Sequence, residues 1–261
     1  MNAARLVWVY LRVGVITELQ YRANFVLQVI QSLLSLATAL AGLAVIFSHT
    51  DRLGGWRPEE LLALLGVYFL VGGAIGFMLQ PSMQRLMEDV RQGTLDFTLT
   101  KPADSQLLVS IRQVQIWRVV DVVMGVAVLT VALARLGHAV GTMEALAFAV
   151  ALLSGGAIIY SFYIILSTLT FWFVRVDNIL VVFQSMYQAG RWPVGIYPPW
   201  LRWTLTLLVP VAFATTVPAE ALTGRLTAET LATGVALAVV MLTASRWFWK
   251  RGVKRYSGAS S

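Results

Sequence analysis

Residues 145–174 read ALAFAVALLSGGAIIYSFYIILSTLTFWFV, thirty residues without an Asp, Glu, Lys or Arg. A helix rises ~1.5 Å per residue, so the ~30 Å hydrocarbon layer of a bilayer takes about 20 mostly apolar residues to cross. This run is long enough by itself. Outward from it, further uncharged runs occupy residues 23–50, 61–84, 122–134, 178–190, 203–219 and 230–245. The first two of these also reach span length alone. The run at 122–134 does so if it starts near Val119 and carries Asp121 at its entrance. The last extends through Trp247 and Trp249, an interfacial aromatic belt, to Lys250 and Arg251. Residues 178–190 are short, and Pro210 and Pro218 interrupt 203–219.

Composition agrees with a membrane protein. Of 261 residues, 58% are hydrophobic and 13% charged, and the mean hydropathy is +0.73. A soluble domain carries roughly a quarter charged residues. That much apolar surface cannot be hidden in a core of this size. A soluble enzyme, a nucleic-acid module and a disordered chain are excluded. The 20 basic residues, against 13 acidic, bracket the apolar runs. The chain has no cysteine, so disulfides, thiolate chemistry and Cys metal sites are excluded, and His49 and His138 lie too far apart to suggest a metal cluster.

Charge parity sets the span count. With six spans, both termini cytoplasmic and residues 192–219 dipping in and returning on the outer side, 14 of the 20 basic residues fall in cytoplasmic segments. The outer six are Arg52, Arg57, Arg135, Arg191, Arg202 and Arg225. A seventh crossing would put the basic tail at 246–255 outside, against the positive-inside rule. The expected architecture is an all-α integral membrane protein, one permease-like domain over 1–261, with six transmembrane helices. Residues 3–22 carry Trp8, Tyr10 and Leu11 among Arg5, Arg12, Glu18 and Arg22, which fits a helix lying in the cytoplasmic interface; a frayed extension of the first span is the alternative. No signal-peptide cleavage site precedes the first span.

Leu153-Ser154-Gly155-Gly156-Ala157 has the letters of an ATPase signature but lies inside a charge-free run, and no Gly-Lys dipeptide exists to cradle a phosphate. Small residues there suit close helix packing. Gly72, Gly73 and Gly76 suit either packing within the subunit or a dimer interface. In residues 81–102, Pro81 fits a first helical turn, and Met83, Leu86, Met87 and Val90 form one apolar stripe. Gln84, Arg85, Glu88, Asp89, Arg91 and Gln92 cover the other side, Gly93 stops the helix, 94–100 alternate polar and apolar, and Lys101-Pro102 follow. A short amphipathic helix at the cytoplasmic end of the second span is expected, either docking a partner or floating in the interface.

Gln92-Gly93-Thr94-Leu95-Asp96 followed by Leu99-Thr100-Lys101-Pro102 resembles the loop after the second span of ABC-transporter membrane subunits of the type-2 exporter class. Residues 18–25 (ELQYRANF), 196–202 (IYPPWLR), 209–213 (VPVAF) and 217–220 (VPAE) resemble a bacterial branch of that class. The resemblance implies a permease that holds no cofactor. ATP and Mg would sit on two separate ATPase subunits, and a second permease, identical or different, would complete the assembly in the bacterial plasma membrane. It implies that residues 85–101 couple to the ATPase, with Arg85, Glu88, Asp89, Arg91, Gly93, Leu95, Asp96 and Lys101 as the coupling positions. It implies that the second and fifth spans line the pathway, here through Tyr68, Phe69, Phe77, Phe183, Met186 and Tyr187; helix packing or lipid contact is the alternative role of those side chains. It makes residues 192–219, with Pro198, Pro210, Phe213 and Pro218, the outer gate. The alternatives are a stand-alone lipid-modifying enzyme and a channel or ion-coupled carrier; the enzyme and the ion-coupled carrier would need ionisable side chains inside the spans. Only Asp121 is placed so, three residues from Arg118 and paired with it by spacing. The aromatic, weakly charged pathway suits export of an amphipathic or hydrophobic solute.

Overall fold

The structure, a computed structural model, describes residues 8–9, 12–13, 15–16, 22–137, 140–173 and 178–256. Most of the expected interfacial helix at 3–22 lies outside them, as does His138; Trp8, Val9, Arg12, Val13, Val15 and Ile16 are helical. The protein is an all-α integral membrane protein. Among the described residues, five helical stretches are long and apolar enough to cross a bilayer: Phe25–Phe47, Pro58–Gln92, Ile116–Arg135, Thr142–Phe171 and Ala228–Val253.

Helix α1 (Arg22–Phe47) is followed by α2 (Pro58–Ala74). A single wide turn at Ile75–Leu79 joins α2 to α3 (Gln80–Gln92) without a break. The amphipathic helix is therefore the continuation of the second span and not a separate element, and Pro58–Gln92 is one rod of 35 residues, ~50 Å long. Proline normally breaks such a rod, because it has no N–H for the carbonyl four residues back and its ring crowds that carbonyl. Here the wide turn precedes Pro81 and gives it room. The Phe77 carbonyl, which Pro81 cannot serve, accepts the Gln115 N–H at 2.7 Å instead.

After α4 (Asp96–Leu99) and α5 (Ser105–Ser110) come α6 (Val119–Arg135) and α7 (Thr142–Thr168). Helices α2 and α6 cross with their backbones in contact. A Cβ on Gly125 would lie 2.4 Å from the Leu70 nitrogen, one on Gly66 2.8 Å from the Leu129 nitrogen, and one on Gly73 2.7 Å from the Val122 nitrogen. The glycines at 72–76 thus serve packing within the subunit. Helix α2 is the centre of the bundle and is mostly buried, whereas α1 lies at its edge and is covered by little else of this chain.

The fifth span, expected at 178–190, departs from a regular crossing. Helix α8 (Ile179–Tyr187) has nine residues and is extended by a tight turn at Gln188–Arg191. At ~1.5–2 Å per residue this covers about 20 Å, short of the hydrocarbon thickness. The chain then rises irregularly to Ile196, whose Cγ2 lies 2.6 Å from where a Gly54 Cβ would sit. Helix α9 (Pro199–Trp203) with its wide turn Thr204–Leu208, then α10 (Val211–Ala214) and α11 (Thr216–Leu222), bend by 68°. At the far side Arg225 donates to the Gly55 carbonyl at 2.6 Å. The segment therefore enters and leaves beside the same α1–α2 loop and forms a hairpin. Its tip reaches Gly155, 13 residues or ~20 Å along α7: a Cβ there would lie 2.3 Å from the Phe213 carbonyl oxygen. Helix α12 (Ala228–Val253) ends the bundle; Thr227 caps its start by accepting from the Thr230 N–H at 3.2 Å, and Lys250 and Arg251 lie at its negative end.

Candidate functional site

The residues expected to couple occupy the end of the bundle where α3 terminates. Met83, Leu86 and Met87 are buried in the core of this chain, with Val90 packed against it. That leaves Gln84, Arg85, Arg91 and Gln92 exposed and Glu88 half-buried on the outer face. Glu88 accepts from Arg91 and Gln92. Asp89 belongs to neither face. It is completely buried, accepts from Arg112 and from the Thr94 hydroxyl (3.2 Å), and pairs with Arg85 Nε at 3.1 Å. Arg112 also donates to the Thr98 hydroxyl at 3.1 Å. Asp89 thus braces residues 85–98 from inside the chain. A hydrophilic residue on a helix whose polar face was expected to be solvated gave no sign of this, because the partner Arg112 comes from a segment 23 residues on.

Three further bonds hold the same strip, residues 112–115, to α3 and the wide turn before it. Ser82 Oγ donates to the Gln113 carbonyl (2.9 Å) and accepts the Gln113 N–H (3.1 Å), and Gln115 caps Phe77 as described. Gly93 takes φ +70°, the left-handed conformation in which glycine ends a helix, and its N–H and that of Thr94 return to the Val90 and Asp89 carbonyls. Leu95 is buried, Asp96 is half-buried at the start of α4, and Lys101 is exposed. Phe97, which composition did not single out, is 75% exposed between them. Asp104 caps α5 and is held by Arg246 of α12; that hydrogen bond keeps its carboxyl below the ordinary carboxylate range.

Of the six pathway candidates, Tyr68, Phe69, Phe183 and Tyr187 line one cavity of about 190 Å³, while Phe77 and Met186 lie half-buried outside it. The four are also packing groups. Tyr68 and Tyr187 stack at 5.0 Å, Tyr163 meets Phe183 edge-on at 4.8 Å, and the Tyr187 hydroxyl donates to the Tyr68 carbonyl at 2.9 Å. The polar lining was missed. Gln28, Gln31, Ser32 and Ser35 of α1 face Gln184, Gln188 and Arg191 of α8 and its extension, with Gln80, Arg118 and Asp121 completing the wall. Gln80 donates to Gln184 at 3.1 Å, and Arg118 pairs with Asp121 at 3.1 Å, as the spacing of the latter two predicted. Arg191, assigned to an outer loop by charge parity, instead lies 5.1 Å above the Tyr68 ring, ten residues into α2. The signal was present: both sets repeat polar residues at i, i+3, i+4 and i+7 or a subset of it within otherwise apolar helices.

At the hairpin, Pro198 precedes α9 and its carbonyl accepts from Leu201 and Arg202, both at 3.0 Å. Pro210 sits in a tight three-residue turn (φ −74°, ψ 52°) closed by the Val211 N–H to the Val209 carbonyl, 2.6 Å. Phe213 is buried with Ala151, Ile158, Val217 and Ala238, and Pro218 is buried in α11. The exit is bolted by Arg225 to Glu60 (2.7 Å), with Arg225 also 5.0 Å above the Trp56 ring.

No group of three or more metal-binding side chains occurs among the described residues. The family profile described as ABC-2 family transporter protein matches residues 33–260. No curated protein and no solved structure matches the chain. With the match covering the second half of the first long helix, all of the other four, the hairpin and the braced end of α3, the chain belongs to the ABC-2 family of transporter membrane proteins.

Proposed function

We propose that this chain is the permease of an ATP-driven exporter in a bacterial plasma membrane. Two separate ATPase subunits bind the ATP and Mg, a second permease, identical or different, completes the pathway, and the α3 end and both termini face the cytoplasm. The carrying observation is the unbroken rod Pro58–Gln92. Its exposed end bears Arg85, Glu88, Arg91 and, on the loop beyond, Phe97 and Lys101; its middle carries Tyr68 and Phe69 at the cavity. A displacement at one end reaches the other only through a stiff contiguous element with distinct states, and the Asp89–Arg112, Ser82–Gln113 and Phe77–Gln115 contacts stiffen it. Gln80–Gln184 and Tyr187–Tyr68 pass the movement to α8. The hairpin at 192–219 closes the opposite end, with Pro198, Pro210, Phe213 and Pro218 shaping it. Gly93, Leu95 and Asp96 hold the coupling loop's shape, and Asp89 acts from inside, so the touching side chains are Arg85, Glu88, Arg91, Phe97 and Lys101.

The test replaces Phe97 and Lys101 together by Glu, both exposed in the isolated chain. The permease should still insert, while co-purification with an ATP-binding subunit and transport in vesicles are lost. Wild-type association and transport would overturn the coupling role. The purified chain alone should hydrolyse no ATP, since it has no phosphate-cradling loop; hydrolysis by it would overturn the division of labour.

A further inference from the structure

Two helices bring matching polar stripes to the cavity, and they meet at one end. On α1 the stripe is Gln28, Gln31, Ser32 and Ser35; on α8 and its extension it is Gln184, Tyr187, Gln188 and Arg191. Each follows the i, i+3, i+4, i+7 spacing of one helix face. The last members join, Arg191 Nη2 donating to the Ser35 hydroxyl at 3.2 Å. Arg118 lies against Gly76, eight residues or ~12 Å further along the Pro58–Gln92 rod than Tyr68, so the cavity has a guanidinium towards each end.

The charges do not cancel. Arg118 has Asp121 as its partner. Arg191 has a hydroxyl and an aromatic face, and no carboxylate among the described residues pairs with it. The Nε of both arginines is buried without a hydrogen-bond partner. A cation inside a membrane protein is held at a cost and is normally turned to a cavity and to function. Apart from Asp121, which Arg118 neutralises, the remaining polar lining is amide and hydroxyl, able to donate to an anion, and the other walls are apolar, with Phe69, Ile75 and Phe183; the Tyr68 face that could attract a cationic ligand is already covered by Arg191. At about 190 Å³ the cavity exceeds the ~150 Å³ apolar cavity known to admit benzene, which is room for a headgroup but not for a long chain.

We infer that this cavity binds the anionic headgroup, phosphate or carboxylate, of an amphiphile whose tail remains in the lipid beside α1, with Arg191 as the principal anion-binding side chain. The inference rests on the permease reading and narrows its substrate class.

The test is calorimetric titration of the purified chain in phosphatidylcholine nanodiscs with dodecyl phosphate, dodecyltrimethylammonium and dodecyl maltoside. Dodecyl phosphate should bind saturably, at least tenfold tighter than the other two. Arg191→Gln should weaken it at least tenfold, Arg191→Lys less, and Arg52→Gln, an exposed loop change, not at all. Gln31→Glu alters an exposed lining position that the fold does not need; it should weaken the phosphate probe and tighten the ammonium probe, an inversion that misfolding cannot mimic. Equal or tighter binding of the ammonium probe to the wild type, or no inversion in Gln31→Glu, would overturn the inference. Repeating the titration in phosphatidylglycerol nanodiscs separates sources: loss of the dodecyl phosphate signal assigns the site to a bilayer lipid headgroup, and its persistence to a free amphiphile. None of these measurements involves the ATPase, so their failure leaves the coupling role standing, and co-purification tests that role separately.

Discussion

Replacing Asp89 by Asn keeps the shape of the side chain and removes its charge. Asp89 is completely buried, accepts from Arg112 and Thr94 and forms an ion pair with Arg85. Removing one partner of a fully buried ion pair costs about 3–5 kcal/mol, because the other charge is stranded. Here the side chains of Arg112 and Arg85 are 25% and 44% exposed and can regain water. The cost falls to about 2 kcal/mol, which is roughly a 30-fold greater population of the opened coupling segment. By contrast Glu88→Gln breaks an exposed pair with Arg91, worth ~0–1 kcal/mol, so under about fivefold. Amide hydrogen exchange reads this directly at Gly93 and Thr94, whose N–H groups close the end of α3 on the Val90 and Asp89 carbonyls. Exchange there should quicken about 30-fold in Asp89→Asn and hardly in Glu88→Gln. Equal effects of the two changes, or less than threefold in Asp89→Asn, would refute the claim that Asp89 is an internal brace.

The topology is tested in this cysteine-free chain: an impermeant thiol reagent on intact cells should label Thr142→Cys and spare Ser257→Cys, and the reverse pattern would invert the orientation. Gly155→Ala should loosen the hairpin, since its Cβ would meet the Phe213 carbonyl at 2.3 Å, whereas Gly156→Ala, with nothing within 4 Å, should be neutral or slightly stabilising; thermal unfolding of the two variants in detergent checks this. Asp104 is held below its ordinary range by Arg246. Its contribution is therefore full above the unfolded carboxyl's pKa and fades as pH falls through the folded value, so wild type should lose its small stability advantage over Asp104→Asn, under about 1 kcal/mol for so exposed a pair, on going from pH 7 to pH 3. An advantage that grows on acidification would contradict the pairing.

The sequence by itself determined the class of the protein. Uncharged stretches such as 145–174 have nowhere to go but a bilayer, and a run so long and uninterrupted crosses it as helix, since the strands of a membrane barrel are short and alternate apolar with polar. Proline clusters at 198–218 already marked backbone that could not run straight, and Gly93 marked the end of α3, because these are local properties of single residues. The apolar stripe from Met83 to Val90 was legible for the same reason: helical period is local. What the sequence could not carry was depth and partnership. Arg191 was counted as an outer residue because a short apolar run ahead of it implied that the crossing was over; the structure stops α8 part-way and leaves the guanidinium over Tyr68. Asp89 sat on a charged helix face and read as solvated, until the strip at 112–115 folded over it. Pro81 read as a helix start, and only the wide turn before it and the Gln115 N–H made it a point inside a rod. Each of these turns on a contact between residues distant in the chain, and a buried charge or an unserved carbonyl takes its meaning from whichever group tertiary packing brings to it.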